Sequence, residues 1–245
     1  MSDNCLPHIN KGLDNFASES LGRSQDVRAK VDALKYHGTT TCAMTCKDGV
    51  VLCTDTRVTA GYLYIAHRRG KKMSMIDKHV GVTIAGTVAD AQNLIDTLKY
   101  YANLYRLENE TPIPIKSLAR IAANVFFSNR AYPMIADFLI GGIDSQEGPV
   151  IYSVDFFGAD TRETFVSTGS GSPVAYGILE DEYQPDMSVK DVIPIAIKAV
   201  SAAIKRNAGT GDGFDVAVIT KEAGYRELTR EEKNQYQMTI PSSRS

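Results

Sequence analysis

Little in this chain points toward a metal, a membrane or a nucleic acid. The 245 residues include four cysteines and four histidines. Cys5, Cys42, Cys46 and Cys53 form no CxxC pair, and the histidines are scattered. Cys42 and Cys46 fall on the same side of one expected strand, but no second ligand pair accompanies them. They read as buried strand thiols of a reducing compartment, and neither a metal nor a cofactor is expected. The formal charge of −2 offers no basic footprint for nucleic acid. No apolar run approaches the ~20 residues that span a bilayer. The opening "MSDNCLPHINKGLDNF" lacks the basic and apolar regions of a secretory signal, so the expected location is cytoplasmic. Internal repeats and low-complexity tracts are missing too. Gly169-Ser170-Gly171-Ser172 has the look of a phosphate loop, but without the lysine or the spacing of one.

What is present is a core-forming chain, 43% hydrophobic and long enough for one large domain. Residues 1–38 are polar and mixed in charge, with a weakly amphipathic piece at "SQDVRAKVDAL". From Thr39 the pattern changes. "TTTCAMTC" and "GVVLCTD" are β-rich runs joined by the turn signal Lys47-Asp48-Gly49, which predicts a hairpin. "HVGVTIAG" is a further strand. Val88, Ala91, Leu94, Ile95, Leu98, Ala102 and Tyr105 then recur at helical spacing behind Thr87, a candidate N-cap. A second helix, "IPIKSLARIAANVFFSNRAY", is entered through Pro112 and Pro114. Strands return in "MIADFLIGGID", "PVIYSVDFFG" and "ETFVSTGSG". Two helices follow, "SPVAYGILEDEY" and "SVKDVIPIAIKAVSAAIKR". The second starts with the Ser188/Asp191 signature, and its Pro194 either kinks it or falls in its first turn. "GFDVAVIT" is a closing strand, and residues 231–245 read as a polar tail that frays. Strands, two helices, strands, two helices and a strand argue for helix-flanked antiparallel sheets, not a doubly wound parallel one.

One short stretch carries a chemical question. Three threonines, Thr39, Thr40 and Thr41, follow Gly38 at the entry to the first strand. Threonine in mid-chain is a poor nucleophile. It improves if the bond before it is cut, because a free α-amino group then lies beside its hydroxyl.

From Gly38 onward, "GTTTCAMTCKDGVVLCTDTRVTAGY", "GKKM", "TIAGTVADAQ", "LIGGID", "STGSGSPVAYGILE" and "VSAAIKRNAGTGDGFDVAVIT" follow in an order that resembles the β-type subunits of the 20S proteasome, in the archaeal style. The resemblance spans residue 39 to about residue 220. It implies an N-terminal-nucleophile hydrolase of the α+β class: a four-layer αββα sandwich of two antiparallel sheets between helical layers. It also implies a propeptide, residues 1–38, removed by self-cleavage at Gly38–Thr39, and a catalytic domain over residues 39–245. The partners implied are other β subunits in a seven-membered ring, α-subunit rings that complete a 28-subunit core, a regulatory ATPase acting through the α rings, and unfolded polypeptide as substrate.

Site residues carry over by motif. Thr39 is the implied nucleophile of a threonine endopeptidase, and Asp55 of "TDTR" partners a lysine, Lys72 by the family pattern. Because strand alternation lets only one of Lys71 and Lys72 face the site, and the "GYLYIAHRRG" loop is one residue longer than usual, Lys71 is the runner-up. Gly86 of "TIAG" supplies an oxyanion N–H. Ser170, Asn207 and Thr210 frame the threonine amine. Asn207 stands where the family has aspartate; it keeps the shape, loses the charge and adds donors. A structural β subunit that never matures is therefore the alternative reading. Val58, Ile84 and Val88 line the implied side-chain pocket, which suits large hydrophobic residues, while Thr59 and Gly86 pair with substrate backbone.

Overall fold

The computed structural model describes residues 38–60 and 64–240; of the expected leader, residues 1–38, all but Gly38 lies outside them. Twelve strands and five helices are described. In chain order they are β1 Thr41–Cys46, β2 Gly49–Asp55, β3 Val58–Ala60, β4 Tyr64–His67, β5 Met73–Asp77, β6 Val80–Gly86, α1 Val88–Asn109, α2 Ile115–Ser128, β7 Ala136–Asp144, β8 Gly148–Val154, β9 Asp160–Glu163, β10 Phe165–Thr168, α3 Ser172–Glu182, α4 Val189–Arg206, β11 Phe214–Thr220, β12 Gly224–Glu227 and α5 Arg230–Thr239.

Two five-stranded antiparallel sheets form, in the orders β10-β1-β2-β11-β12 and β5-β6-β7-β8-β9, and β3 pairs with β4 apart from both. Strand alternation sorts the side chains into layers. Ala43, Val50, Leu52, Ala217 and Ile219 of the first sheet meet Met73, Leu139 and Ile151 of the second. The opposite residues of β1 and β2, Cys42, Met44, Cys46, Val51 and Cys53, pack under α3 and α4. On the outer face of the second sheet, Val82, Ile84, Phe138 and Ile140 pack against α1 and α2. This is the expected αββα sandwich. Three of the cysteines are free, buried thiols on the helix side of the first sheet, where burial pushes Cys46 up to about 12.

The helices follow their sequence signals with instructive departures. Ala91, Leu94, Ile95, Leu98 and Ala102 are the buried stripe of α1. Thr87 occupies the N-cap, but its hydroxyl gives its proton to Asp90 instead of accepting from the first turn. Helix α2 is shorter than its apolar pattern: Pro114 is its N-cap and Asn129 its C-cap. Ser188 and Asp191 form the expected capping box of α4, and Pro194 lies inside that helix, beyond its first turn. Where a fraying polar tail was expected from residue 231, Arg230–Thr239 form α5, capped reciprocally by Thr229 and Glu232. The short strands β4 and β12 were not anticipated. Each has four residues with no buried member, so neither carries an apolar alternation to read.

Candidate active site

The first sheet presents Thr39 two residues before β1. Thr39 is buried, at 3% exposure. Two glycines make room for it. A Cβ on Gly38 would come within 2.0 Å of Gly209 Cα, and one on Gly169 within 2.3 Å of the Thr39 carbonyl oxygen. Gly169 also holds φ at +90°, a conformation side chains avoid.

Around Thr39 the buried polar groups are closely matched. Its hydroxyl donates to the Gly38 carbonyl at 2.7 Å. The Lys72 ammonium donates to Gly38 O at 3.2 Å, to Thr39 Oγ1 at 3.0 Å and to Asp55 Oδ1 at 2.8 Å. Those contacts use the whole donor capacity of a lysine. Asp55, fully buried at the end of β2, also accepts from the backbone N–H groups of Thr40 at 2.9 Å, Arg57 at 3.1 Å and Gly211 at 3.0 Å. A carboxylate taken out of water is tolerable only with such partners. Burial holds the Lys72 pKa below the ordinary lysine value; Asp55 pulls it back up, and Arg57 pushes it down further. Lys71, by contrast, has a 63%-exposed side chain paired with Glu227. The order of the two lysines along the chain thus sends Lys72 to the threonine and Lys71 to the surface.

On the other side of Thr39 the helix-to-strand loop after α4 supplies a second set of bonds. Ser170 Oγ accepts from the Thr39 N–H at 3.4 Å and donates to Asn207 Oδ1 at 2.9 Å. Asn207 Oδ1 also accepts from Gly209 N–H and the Thr210 hydroxyl, both at 3.0 Å, while its Nδ2 donates to the Ser170 carbonyl at 3.0 Å. The two backbone partners, one donor and one acceptor, fix the amide orientation. Because the Thr210 proton goes to Asn207, the Thr40 hydroxyl is the donor in its 2.7 Å bond to Thr210. A carboxylate at 207 would turn an acceptor toward the Ser170 carbonyl.

A cavity of about 230 Å³ opens beside the threonine, lined by Gly38, Thr39 and Lys72 together with Val58, Thr59, Ile84, Gly86 and Val88. All the residues expected to contact substrate therefore border one space. Val88 is 44% exposed and so is not core, whereas Ile84 is buried and serves both the wall and the core under α1. Gly86 has φ +131°, and a Cβ there would strike the Ile135 carbonyl oxygen at 2.1 Å. His67 and Gln92 also line the cavity and were missed by sequence reasoning. Gln92 lies one helical turn beyond Val88, a spacing that could have found it. His67 sits opposite Val58 in the β3–β4 pair. A neighbouring cavity of about 430 Å³ shares Gly86 and includes Ser170, Asp137 and Asp155.

Residues 35–219 match the Proteasome family, described as proteasome subunit. The chain belongs to the proteasome subunit family. Among its relatives, "Proteasome subunit beta 2" of Nitrosopumilus maritimus is 52% identical over 210 residues, covering 86% of this chain and 97% of the relative. "Proteasome subunit beta 1" of Caldivirga maquilingensis is 53% identical over 192 residues, covering 78% and 93%. "Proteasome subunit beta" of Methanothermobacter thermautotrophicus is 48% identical over 195 residues, covering 80% and 92%. These proteasome relatives support a β-type role. The proteasome matches reach across both sheets and the helical layers, so the shared feature is the whole sandwich and not one motif. Among the described residues, no helix is long and apolar enough to cross a membrane.

Proposed function

We propose that this chain is a catalytic β subunit of a proteasome core, a threonine endopeptidase that cuts itself at Gly38–Thr39 and then hydrolyses unfolded polypeptide. The observation that carries the reading is the Lys72 ammonium, which bonds both the hydroxyl that attacks and the carbonyl that is attacked. In self-cleavage the Thr39 oxygen adds to the Gly38 carbonyl carbon. Lys72 stabilises the negative charge that develops, and the C–N bond breaks to give an ester that water hydrolyses. The released α-amino group, with a reference pKa of about 7.7–8.0, becomes the general base for the same hydroxyl. Ser170, held by Asn207, which in turn accepts from Thr210, orients that amine. Gly86 supplies an N–H to the oxyanion of the substrate. Val58, Ile84 and Val88 accept a large hydrophobic side chain, and Thr59 pairs with substrate backbone.

The relatives are β subunits of proteasomes, and this chain is proposed to join other β subunits in a ring that α rings enclose and an ATPase feeds. The segment before Thr39 masks the nucleophile until the chamber closes. Asn207 favours one competing reading, a ring subunit that never matures, because an amide cannot support the ammonium as a carboxylate would. Co-assembly with the α partner followed by intact mass and N-terminal sequencing separates the two. A start at Thr39 is expected; a retained leader would leave only the structural role.

A further inference from the structure

Arg57 lies two residues beyond β2 and borders the cavity beside Thr39, and its side chain reaches loop 207–213. There its Nε donates to Asp212 Oδ2 at 2.8 Å and its Nη1 to the Ala208 carbonyl at 2.9 Å. Asp212 Oδ1 accepts from Arg68 Nη1, beyond β4, at 3.0 Å. The guanidinium lies face-on against Gly211, since a Cβ there would be 2.2 to 2.4 Å from Cζ, Nη2 and Nε alike. The backbone N–H of this same Gly211 bonds Asp55, and the same loop carries Asn207 and Thr210.

The backbone at Asp212 reinforces the point. Its φ is +65°, in the left-handed region. Glycine is most comfortable there, and aspartate and asparagine are the side chains that tolerate it. An aspartate in that conformation, with both carboxylate oxygens on guanidinium groups, is a residue held for its charge. Arg69, Asp215, Arg230 and Lys233 line the same cavity of about 690 Å³. Lys233 is already engaged by Asp215 at 2.8 Å, which leaves Asp212 as the carboxylate shared by the two arginines.

We propose that Asp212 is a positioning residue for the threonine centre: its carboxylate holds Arg57 against loop 207–213 and neutralises a guanidinium whose residue borders the same cavity as Lys72. The inference rests on Thr39 being an active nucleophile. Without the carboxylate, Arg57 is free to leave Ala208 and Gly211, and its full charge acts on the Lys72 ammonium, which then loses its proton at lower pH.

The test uses Asp212→Asn in the full chain assembled with its α partner. Asparagine keeps the shape and the left-handed backbone and removes only the charge. On a fluorogenic peptide, kcat is expected to fall about tenfold with KM changed by less than about twofold. The high-pH limb of the kcat profile moves down by about half a unit. Asp212→Gly, which also relieves the backbone, behaves the same way, and Arg69→Gln stays within about twofold of wild type. A second measurement needs no activity: the Lys72 titration followed by NMR in ¹³C-lysine-labelled Thr39→Ala chain, with and without Asp212→Asn. A lower Lys72 midpoint in the variant supports the inference. An active wild type with an unaltered kcat and pH limb in both Asp212 variants overturns it, as does an unaltered Lys72 midpoint. A wild type that cuts nothing refutes the proposed peptidase while the titration still decides the role of Asp212.

Discussion

The two sheets of the sandwich have the same strand number and the same antiparallel order, yet they meet the threonine differently. The first sheet and its loops bring the groups proposed to react: Thr39 ahead of β1, Asp55 at the end of β2, Ser170 after β10, and Asn207 and Thr210 before β11. The second brings walls: Ile84 and Gly86 at the end of β6, and Val88 at the start of α1. Lys72 crosses between them, entering beside β5 and ending on Asp55. The carboxylates near the site differ as well. Asp55 is bonded by three backbone N–H groups and an ammonium. On the second sheet, burial and then the charge of Asp155 raise Asp137 to about 6, against one backbone hydrogen bond from Phe156. The difference teaches that one layer gathers paired charge and the other shapes space; under the proposed mechanism, substitutions in the two should separate into rate effects and binding effects.

The largest effect is expected at the nucleophile. Thr39→Ala should abolish both self-cleavage and peptide hydrolysis, lowering kcat by roughly 10³-fold or more; unchanged peptidase activity would end the threonine mechanism. Next comes Asp55→Asn, which strands the buried Lys72 charge. Urea unfolding should reveal a loss of about 3–5 kcal/mol, along with rate, and a loss below about 1 kcal/mol would erase the contrast between the sheets. On the binding side, Val88→Ala should raise KM for bulky hydrophobic peptides about tenfold while kcat holds within about twofold. A fall in kcat instead would mean that the wall takes part in the chemistry.

Two further effects depend on pH. Asn207→Asp places a negative charge near the mature amine, which raises the amine pKa and moves the low-pH limb of activity upward by about one unit. It also sets a carboxylate oxygen against the Ser170 carbonyl. Processing and pH limb both unaltered would remove Asn207 from the mechanism. For Asp137 the folded state holds its proton more tightly than the unfolded chain. Its contribution is therefore most favourable below the ordinary carboxylate pKa and is lost as pH rises toward about 6. Asp137→Asn should flatten that loss, roughly 2–3 kcal/mol between pH 4 and 6, in chemical denaturation; an unchanged slope would mean that the carboxyl is solvated.

Much of the architecture was legible because α1 to α4 bury one face each, which writes a helical period into the residues, while β1 and β2 bury both faces and read as short, nearly continuous apolar runs. The β3–β4 pair, β12 and α5 bury little or nothing, so only their backbone partners reveal them. The order of the motifs named residues that the fold brings together, and of the two adjacent lysines ahead of β5 it is Lys72 that reaches Thr39 and Asp55. What composition and spacing could not supply is the link from Arg57 to Asp212, whose partners are 155 residues apart. It depends on a left-handed turn and a flat guanidinium that only the folded loop brings together.

The register of β1 on β2 runs unbroken from Thr41↔Thr54 to Cys46↔Gly49. A slip of one place would drive Cys42 and Met44 between the sheets, turn Ala43 out to the helices, and displace the threonine by about 3.3 Å. The hydroxyl is therefore aimed by grease: sorting a small side chain from a large one, several positions downstream, sets where the reactive oxygen comes to rest.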